Sequence, residues 1–312
     1  MLIADILAPK QYDAHRKALH QAAADTGAAI AAIETAAPSF AIAMQLASAL
    51  KRKRYDAVLV HTNRQAIAAI SAKKIAEKAH SAYAIVYQPL RCDETPRNIP
   101  AEISAETALW IFEDEEMRRQ YGKIAARLPR SSAILPPGYF GAPLPEGFTP
   151  AEHTPGGPLR LVWLDEISDY TLLSNTVNAV ASLPENDIEL TICGTGKARH
   201  IMPSVRAANN DKRHTYNWKG NEYDYAEEAA RAHAAIAGHT YATDTRLDLM
   251  RRGIPVLDAE DPEALGETIA RMIREPEALR EAGEEARRRF HEAHEPMFHV
   301  KQLTSLIAGA TR

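Results

Sequence analysis

The chain has 312 residues, 46% hydrophobic and 25% charged, with a formal net charge of -4. That mild acidity gives no electrostatic footprint for nucleic acid, and two cysteines, Cys92 and Cys193, exclude a disulfide-built scaffold and point to a reducing, cytoplasmic setting. No apolar run approaches the roughly 20 residues needed to span a bilayer, the N-terminus lacks the pattern of a signal peptide, and at roughly 150 residues per domain the length predicts two domains.

In chain order, "LIADIL", "AAIAAI", "DAVLV", "YAIVY", "LWIF" and "AIL" read as strands. Between them, "HRKALHQAAAD", "FAIAMQLASALKRK", "RQAIAAISAKKIAEKA" and "DEEMRRQYGKIAARL" repeat apolar residues at three- and four-residue steps, the period of a helix. The basic run Lys51 to Arg54 could touch anionic lipid, but is expected to be a solvated helix end that complements the helix dipole. From Pro136 to Pro158 proline and glycine are dense enough to break any regular element, which marks an interdomain connection. After it the alternation resumes with strands "LRLVWL", "DIELTIC", "AAIAG" and "IPVL", and with helices from Asn175, Asp244, Pro262 and Pro276. "HTYNWKG" has no clear period. In "DLMRRGIPVLDAEDPEAL", Gly253 is placed to close one helix, and Asp261 followed by Pro262 to open the next. Arg251 and Arg252 are then expected at a solvated helix end. His291, His294 and His299 lack the spacing of a zinc site and are expected on an exposed helical surface.

Repeated βα units require right-handed crossovers between parallel strands. The expected fold is therefore α/β: two Rossmann-like domains whose parallel sheets face a central cleft. The divisions are 1–140, a Pro/Gly-rich linker at 141–158, a second domain at 159–290, and a C-terminal helix within 291–312 that packs back toward the first domain. Ligands of such sheets sit outside the carboxyl ends of the strands. His61 ends one strand there, and Asn63 and Gln88 follow two of them. Gly194-Thr195-Gly196-Lys197 follows another, with Lys197 and Arg199 as cations for an anionic ligand. It is not a Walker A loop, because its glycines are too close together and Ala198 replaces the metal-binding hydroxyl.

Several of these pieces together resemble the retaining GT-B glycosyltransferases, the group that shares its architecture with glycogen synthase. They are "LRLVWL", "LTICGTGKAR", "NWKGN" and "RRGIPVLDAEDPEAL", with looser matches at "YDAVLVHTN" and "SSAILPPGYF". The resemblance implies transfer of a sugar from a nucleotide-diphosphate donor in bacterial-type glycan or glycoconjugate synthesis. The acceptor would be a glycan, a lipid-linked group or a protein. It further implies that Asp248 holds a ribose diol, that Gly194, Thr195, Gly196 and Lys197 meet the diphosphate, and that Thr240, Tyr241 and Thr243 meet the sugar. His61 would stand at the reacting centre, with Lys10, Asn63 and Gln88 on the acceptor side. No cofactor and no metal are expected, the nucleotide sugar being a co-substrate.

Two departures from that family stand out. The family's paired glutamates fall on Thr240 and Asp248, and the loop after "LRLVWL" reads "LDEISDY", with Asp165, Glu166 and Asp169 where the family has cations. A carboxylate about 4 Å from a phosphate costs on the order of 4 kcal/mol at an effective dielectric near 20. The acidic loop supports an alternative, a GT-B-like accessory subunit that binds an active partner protein. A GT-B epimerase acting on the nucleotide sugar is a third reading.

Overall fold

A computed structural model describes residues 1–7, 14–34, 39–76, 83–89, 96–164, 167, 169–184, 188–201, 214–237 and 243–311. The chain divides into two compact units, Met1–Phe140 with Ala293–Arg312, and Gly141–Glu292.

The first unit holds a parallel sheet of β1 (Leu2–Leu7), β2 (Ala29–Glu34), β3 (Ala57–Val60), β4 (Ala84–Tyr87), β5 (Leu109–Phe112) and β6 (Ser132–Ile134), in the order β2-β1-β3-β4-β5-β6. Its helices are α1 (Ala14–Asp25), α2 (Ser39–Arg52), α3 (Asn63–Ala76), α4 (Ala101–Glu106), α5 (Glu115–Ile124) and the C-terminal helix Pro296–Ala310. Strand residues alternate between two cores. Val58 and Val60 pack with Ile42, Leu46, Ile70, Ile103 and Tyr121 from α2 to α5. Ala57 and Leu59 pack with Leu19 of α1 and with Val300, Leu303 and Ile307 of the C-terminal helix. The β1–β2 crossover runs opposite to the later ones, so the right-handed rule sends α1 to the other face, and the C-terminal helix shares that face. His294 and His299 correct the expectation of an exposed histidine surface. His299 is buried and meets the Pro136 carbonyl through Nδ1 at 2.8 Å, and His294 meets that of Pro137 at 2.8 Å. Only His291 of the three is exposed.

The second unit holds β7 (Leu159–Leu164), β8 (Ile188–Cys193), β9 (His214–Gly220), β10 (Ala234–Ala237) and β11 (Val256–Asp258), parallel and in the order β11-β10-β7-β8-β9. "HTYNWKG" is thus the edge strand β9. Helices α6 (Tyr170–Ser182), α7 (Tyr225–Arg231), α8 (Thr243–Arg252), α9 (Pro262–Arg274) and α10 (Pro276–Ala293) complete it. Helix α6 begins at Tyr170, earlier than the predicted Asn175, because Asp169 caps it by accepting from the Thr171 and Leu172 amides. Asp261 caps α9 in the same way, with Pro262 just inside. Gly253 closes α8 at φ +75°, the left-handed conformation that favours glycine.

Residues 141–158 pack on α8 within this unit: Arg251 Nη1 donates to the Ala142 carbonyl at 2.7 Å, and the Arg252 guanidinium lies 5.1 Å from the Phe148 ring centre. Helix α10 crosses the end of α8 so closely that a Cβ on Gly283 would lie 2.4 Å from the Gly253 carbonyl oxygen. Gly283→Ala should therefore lower stability by about 1–3 kcal/mol through overpacking. At Gly266, where the nearest atoms lie 3.7 Å from such a Cβ, the same change should be neutral or stabilising by up to about 1 kcal/mol. Denaturant unfolding of the two variants checks this.

Candidate functional site

In the first unit, the period-two alternation sets Asp5, His61 and Gln88 on the face that carries α1, in line with Ile3, Leu59 and Val86. Asp5 is fully buried. Its carboxylate receives Arg16 Nε at 2.9 Å and lies 2.8 Å from both His20 Nε2 and His61 Nε2. Burial alone would push this carboxyl up; Arg16, His61 and His20 outweigh it and hold it well below the ordinary carboxylate range. The His61 ring is fixed from its other side, where Nδ1 donates to the Gln88 carbonyl at 2.6 Å. Arg16 Nη2 approaches Nε2 at 3.0 Å.

His61 therefore has both ring nitrogens engaged and a fully buried side chain. The expectation that it faces a ligand is corrected to a ring locked in a network, and direct proton transfer would require it to release Asp5. Asn63 is also engaged, donating to the Asn98 carbonyl at 2.7 Å and accepting from the Tyr87 hydroxyl at 3.1 Å. Gln88 differs: its side-chain Oε1 is buried and has no hydrogen-bond partner among the described residues. Thr62 and Gln65 form a reciprocal cap on α3, each side chain accepting from the other's backbone amide, which fixes the turn after β3. Lys10 lies outside the described residues. Asp5, Arg16 and His20 escaped the sequence reading, although an aspartate inside an apolar strand, and an arginine and histidine four apart on one helix face, were visible signals.

In the second unit, Gly194 follows β8 at φ +114° and donates to the Gly220 carbonyl at 2.6 Å. The Trp218 indole donates to the Gly194 carbonyl at 3.3 Å, the Thr195 hydroxyl to Asn221 Oδ1 at 3.2 Å, and the Ile167 amide to the Thr195 carbonyl at 3.0 Å. The loop is thus tied to β9 and to Ile167. A recess of about 390 Å³ opens at the carboxyl ends of β8 and β9, lined by Thr195, Arg199, Trp218, Lys219, Asn221 and Glu222. Lys197 begins an exposed 3-10 turn, Lys197–Ile201, beside it. Cys193, buried at the end of β8, has its thiol pushed up to about 12 by burial and by Glu228, which leaves it inert. A larger recess, about 700 Å³, runs along α5 and β6 in the first unit and borders none of Asp5, His61 or Gln88.

Asp248 is buried on α8. Its oxygens receive the Tyr225 hydroxyl at 2.9 Å, Arg252 Nε at 2.5 Å, and the Arg251 guanidinium. Burial raises this carboxyl, and the bonds from Arg252, Arg251 and Tyr225 bring it below its ordinary value. The expected solvated arginine pair is corrected: both arginines turn inward to neutralise Asp248, and Arg252 is buried. Thr240 and Tyr241 lie outside the described residues, as do Asp165 and Glu166, and of Thr243 only its place at the start of α8 is described. Among the described residues no group of three or more His, Cys, Asp or Glu side chains is arranged to hold a metal ion. None of their helices is long and apolar enough to cross a membrane.

No family model matches the sequence, and no curated protein does. Solved structures do match in fold. The apo lipopolysaccharide outer core galactosyltransferase WaaB superposes with a TM-score of 0.70 at 13% identity, covering 99% of both chains. Anabaena HepE in complex with UDP gives 0.69 at 10% identity over 99% of this chain and 100% of that one. A glycosyltransferase from Rickettsia africae gives 0.67 at 12% identity over 100% and 98%.

The Asp5 network predicts a specific acid response. A carboxyl depressed in the folded state contributes stability that is present above its unfolded value and lost as pH falls through its folded one. Asp5→Asn should remove that part of the acid limb and, by taking the carboxylate charge away from buried Arg16, destabilise by about 3–5 kcal/mol near neutral pH. Urea unfolding of both proteins from about pH 2 to about pH 7 measures it.

Proposed function

On the GT-B fold that this chain has, we propose that it is a glycosyltransferase that takes a sugar from a nucleoside-diphosphate donor held by the second unit. One observation carries the reading: the recess at the carboxyl ends of β8 and β9, lined by Thr195 of the glycine loop, the Trp218 face, the cations Arg199 and Lys219, and Glu222. Its volume suits a base with its ribose. Trp218 offers an apolar wall and Asn221 an amide for hydrogen bonding. The positive φ of Gly194 shapes the loop that the diphosphate would approach, and Lys197 and Arg199 supply charge as the leaving group departs. HepE was solved with UDP, and a nucleoside diphosphate is the ligand class proposed for this chain.

The residues of the first unit take the acceptor side. Gln88, with its unpartnered Oε1, is suited to accept from a sugar hydroxyl. His61 acts as a positioning residue, held by Asp5 and holding the Gln88 backbone. Asp248 enters through its hold on Tyr225, Arg251 and Arg252, and a bond to ribose would have to compete with those partners. Retention of configuration belongs to the same proposal, as do Thr240, Tyr241 and Thr243 on the sugar. Asp169 of the acidic loop caps α6, and the accessory-subunit reading stands as the alternative.

Calorimetric titration with UDP, GDP, ADP and dTDP tests the donor site. We expect one of them to bind at submillimolar concentration, and Lys197→Ala with Arg199→Ala to weaken it about tenfold or more, about 1.4 kcal/mol. Release of that nucleotide from its sugar donor, followed with and without glycan acceptors, separates enzyme from accessory subunit. No binding by any of the four at millimolar concentration would remove the donor site.

A further inference from the structure

Strand β6 closes one side of the first sheet, and among the described residues no strand neighbours its outer edge. The Trp110 amide donates to the Ser131 carbonyl at 3.0 Å, and the Leu135 amide to the Phe112 carbonyl at 2.8 Å. Ladder bonds alternate along a strand, so the backbone groups of Ser132 and Ile134 point away from β5, and no described residue bonds to them. Beside this edge lies the recess of about 700 Å³ between α5 and β6. Ser132 stands opposite Trp110 in the ladder, and its small side chain leaves the recess open where a larger apolar one would fill it. Phe112 and Pro129 also line it, with Leu128, which is 68% exposed. The buried Trp110 indole N–H has no hydrogen-bond partner among the described residues, so the lining holds an unmet donor.

Cations gather here without matching acids. Arg118 and Arg119 are paired with Glu115 and Glu116, but Lys123, Arg127 and Arg130 have no carboxylate partner among the described residues. From Tyr121 to Pro145 the chain contains no aspartate or glutamate. Dipole complementarity accounts for Lys123 in the last turn of α5, but not for Arg127 and Arg130 beyond it. An open edge strand beside a helix-walled groove suits the addition of an extended segment, whose backbone bonds to the edge while alternate side chains enter the groove. From Glu115 to Lys123 the groove runs about 12 Å along α5, room for roughly four extended residues. We propose that β6 receives an extended acidic segment of a partner protein, with an apolar residue in the recess and carboxylates on Lys123, Arg127 and Arg130. A second copy of this chain suits the edge poorly, because twofold pairing of β6 would bring two sets of these cations together. The proposal goes beyond the transferase reading and is tested without any sugar donor.

Fluorescence anisotropy decides it, with a labelled heptapeptide whose Val-Leu-Val centre is flanked by two glutamates at each end. The peptide should bind with a dissociation constant of about 100 µM or tighter, and the affinity should fall as salt rises. N-methylation of its three central residues removes backbone donors, leaves the protein untouched, and should weaken binding about tenfold or more. Ser132→Pro, which removes one outward N–H and spares the ladder to β5, should do the same. Lys123→Glu with Arg127→Glu should also weaken binding about tenfold or more. Circular dichroism verifies that each variant folds. No binding at about 1 mM peptide overturns the proposal, and so does binding that N-methylation or the charge reversal leaves unchanged. A dimer in sedimentation equilibrium that Ser132→Pro abolishes also overturns it, assigning the edge to a second copy.

Discussion

A carboxylate placed inside a sheet must be neutralised on the spot, and Asp5 shows what that requirement organises. It has no exposed surface and sits among apolar neighbours on the central strands of the first sheet. Left alone, a buried charge of this kind is too costly to keep. Its compensation comes from α1, through Arg16 and His20, and from the end of β3, through His61. The charge thereby fixes a crossover helix to the sheet and sets the orientation of a ring that in turn holds the turn after β4.

The second unit solves a similar problem from within a helix. Asp248 draws both arginines of its own last turn inward and takes a third bond from Tyr225 of α7. Cations that a helix end would ordinarily offer to solvent are consumed by packing, and so is the acid at Asp169, which caps α6. Among the described residues, Arg199 lines the recess beyond the glycine loop after β8, and neither it nor Lys197 is drawn into an internal ion pair.

Charge is also uneven over the surface of a chain whose net charge is only -4. Helix α10 matches its arginines to glutamates three and four residues away, through Glu277, Arg280 and Glu284 and again through Glu285, Arg288 and Glu292. Such pairs sit in water and stabilise little, but they leave no local excess of either sign. Helices α2 and α3 contain no carboxylate of their own and combine their cations with exposed apolar side chains.

Local chemistry was legible along the chain because it is written in short-range terms. Period-two and period-three-to-four patterns located the described strands except β9, whose segment shows no clear period, and most of the helices, and Gly253, Asp261 and Pro262 marked their boundaries by backbone geometry that few residues satisfy. The short helices α4 and α7 were missed, since one or two turns carry too little periodicity to stand out. What no reading in one dimension could decide is which polar side chains keep a free hydrogen bond. His61, Asn63, Asp248, Arg251 and Arg252 all had the chemistry of a site, yet their partners come from other elements or from the inward turn of their own helix, and only packing reveals that those bonds are already made. The sequence by itself determined two parallel α/β units and the places where their strands end; the tertiary structure decided which groups at those ends are occupied, because hydrogen bonding and charge compensation are settled by neighbours in space.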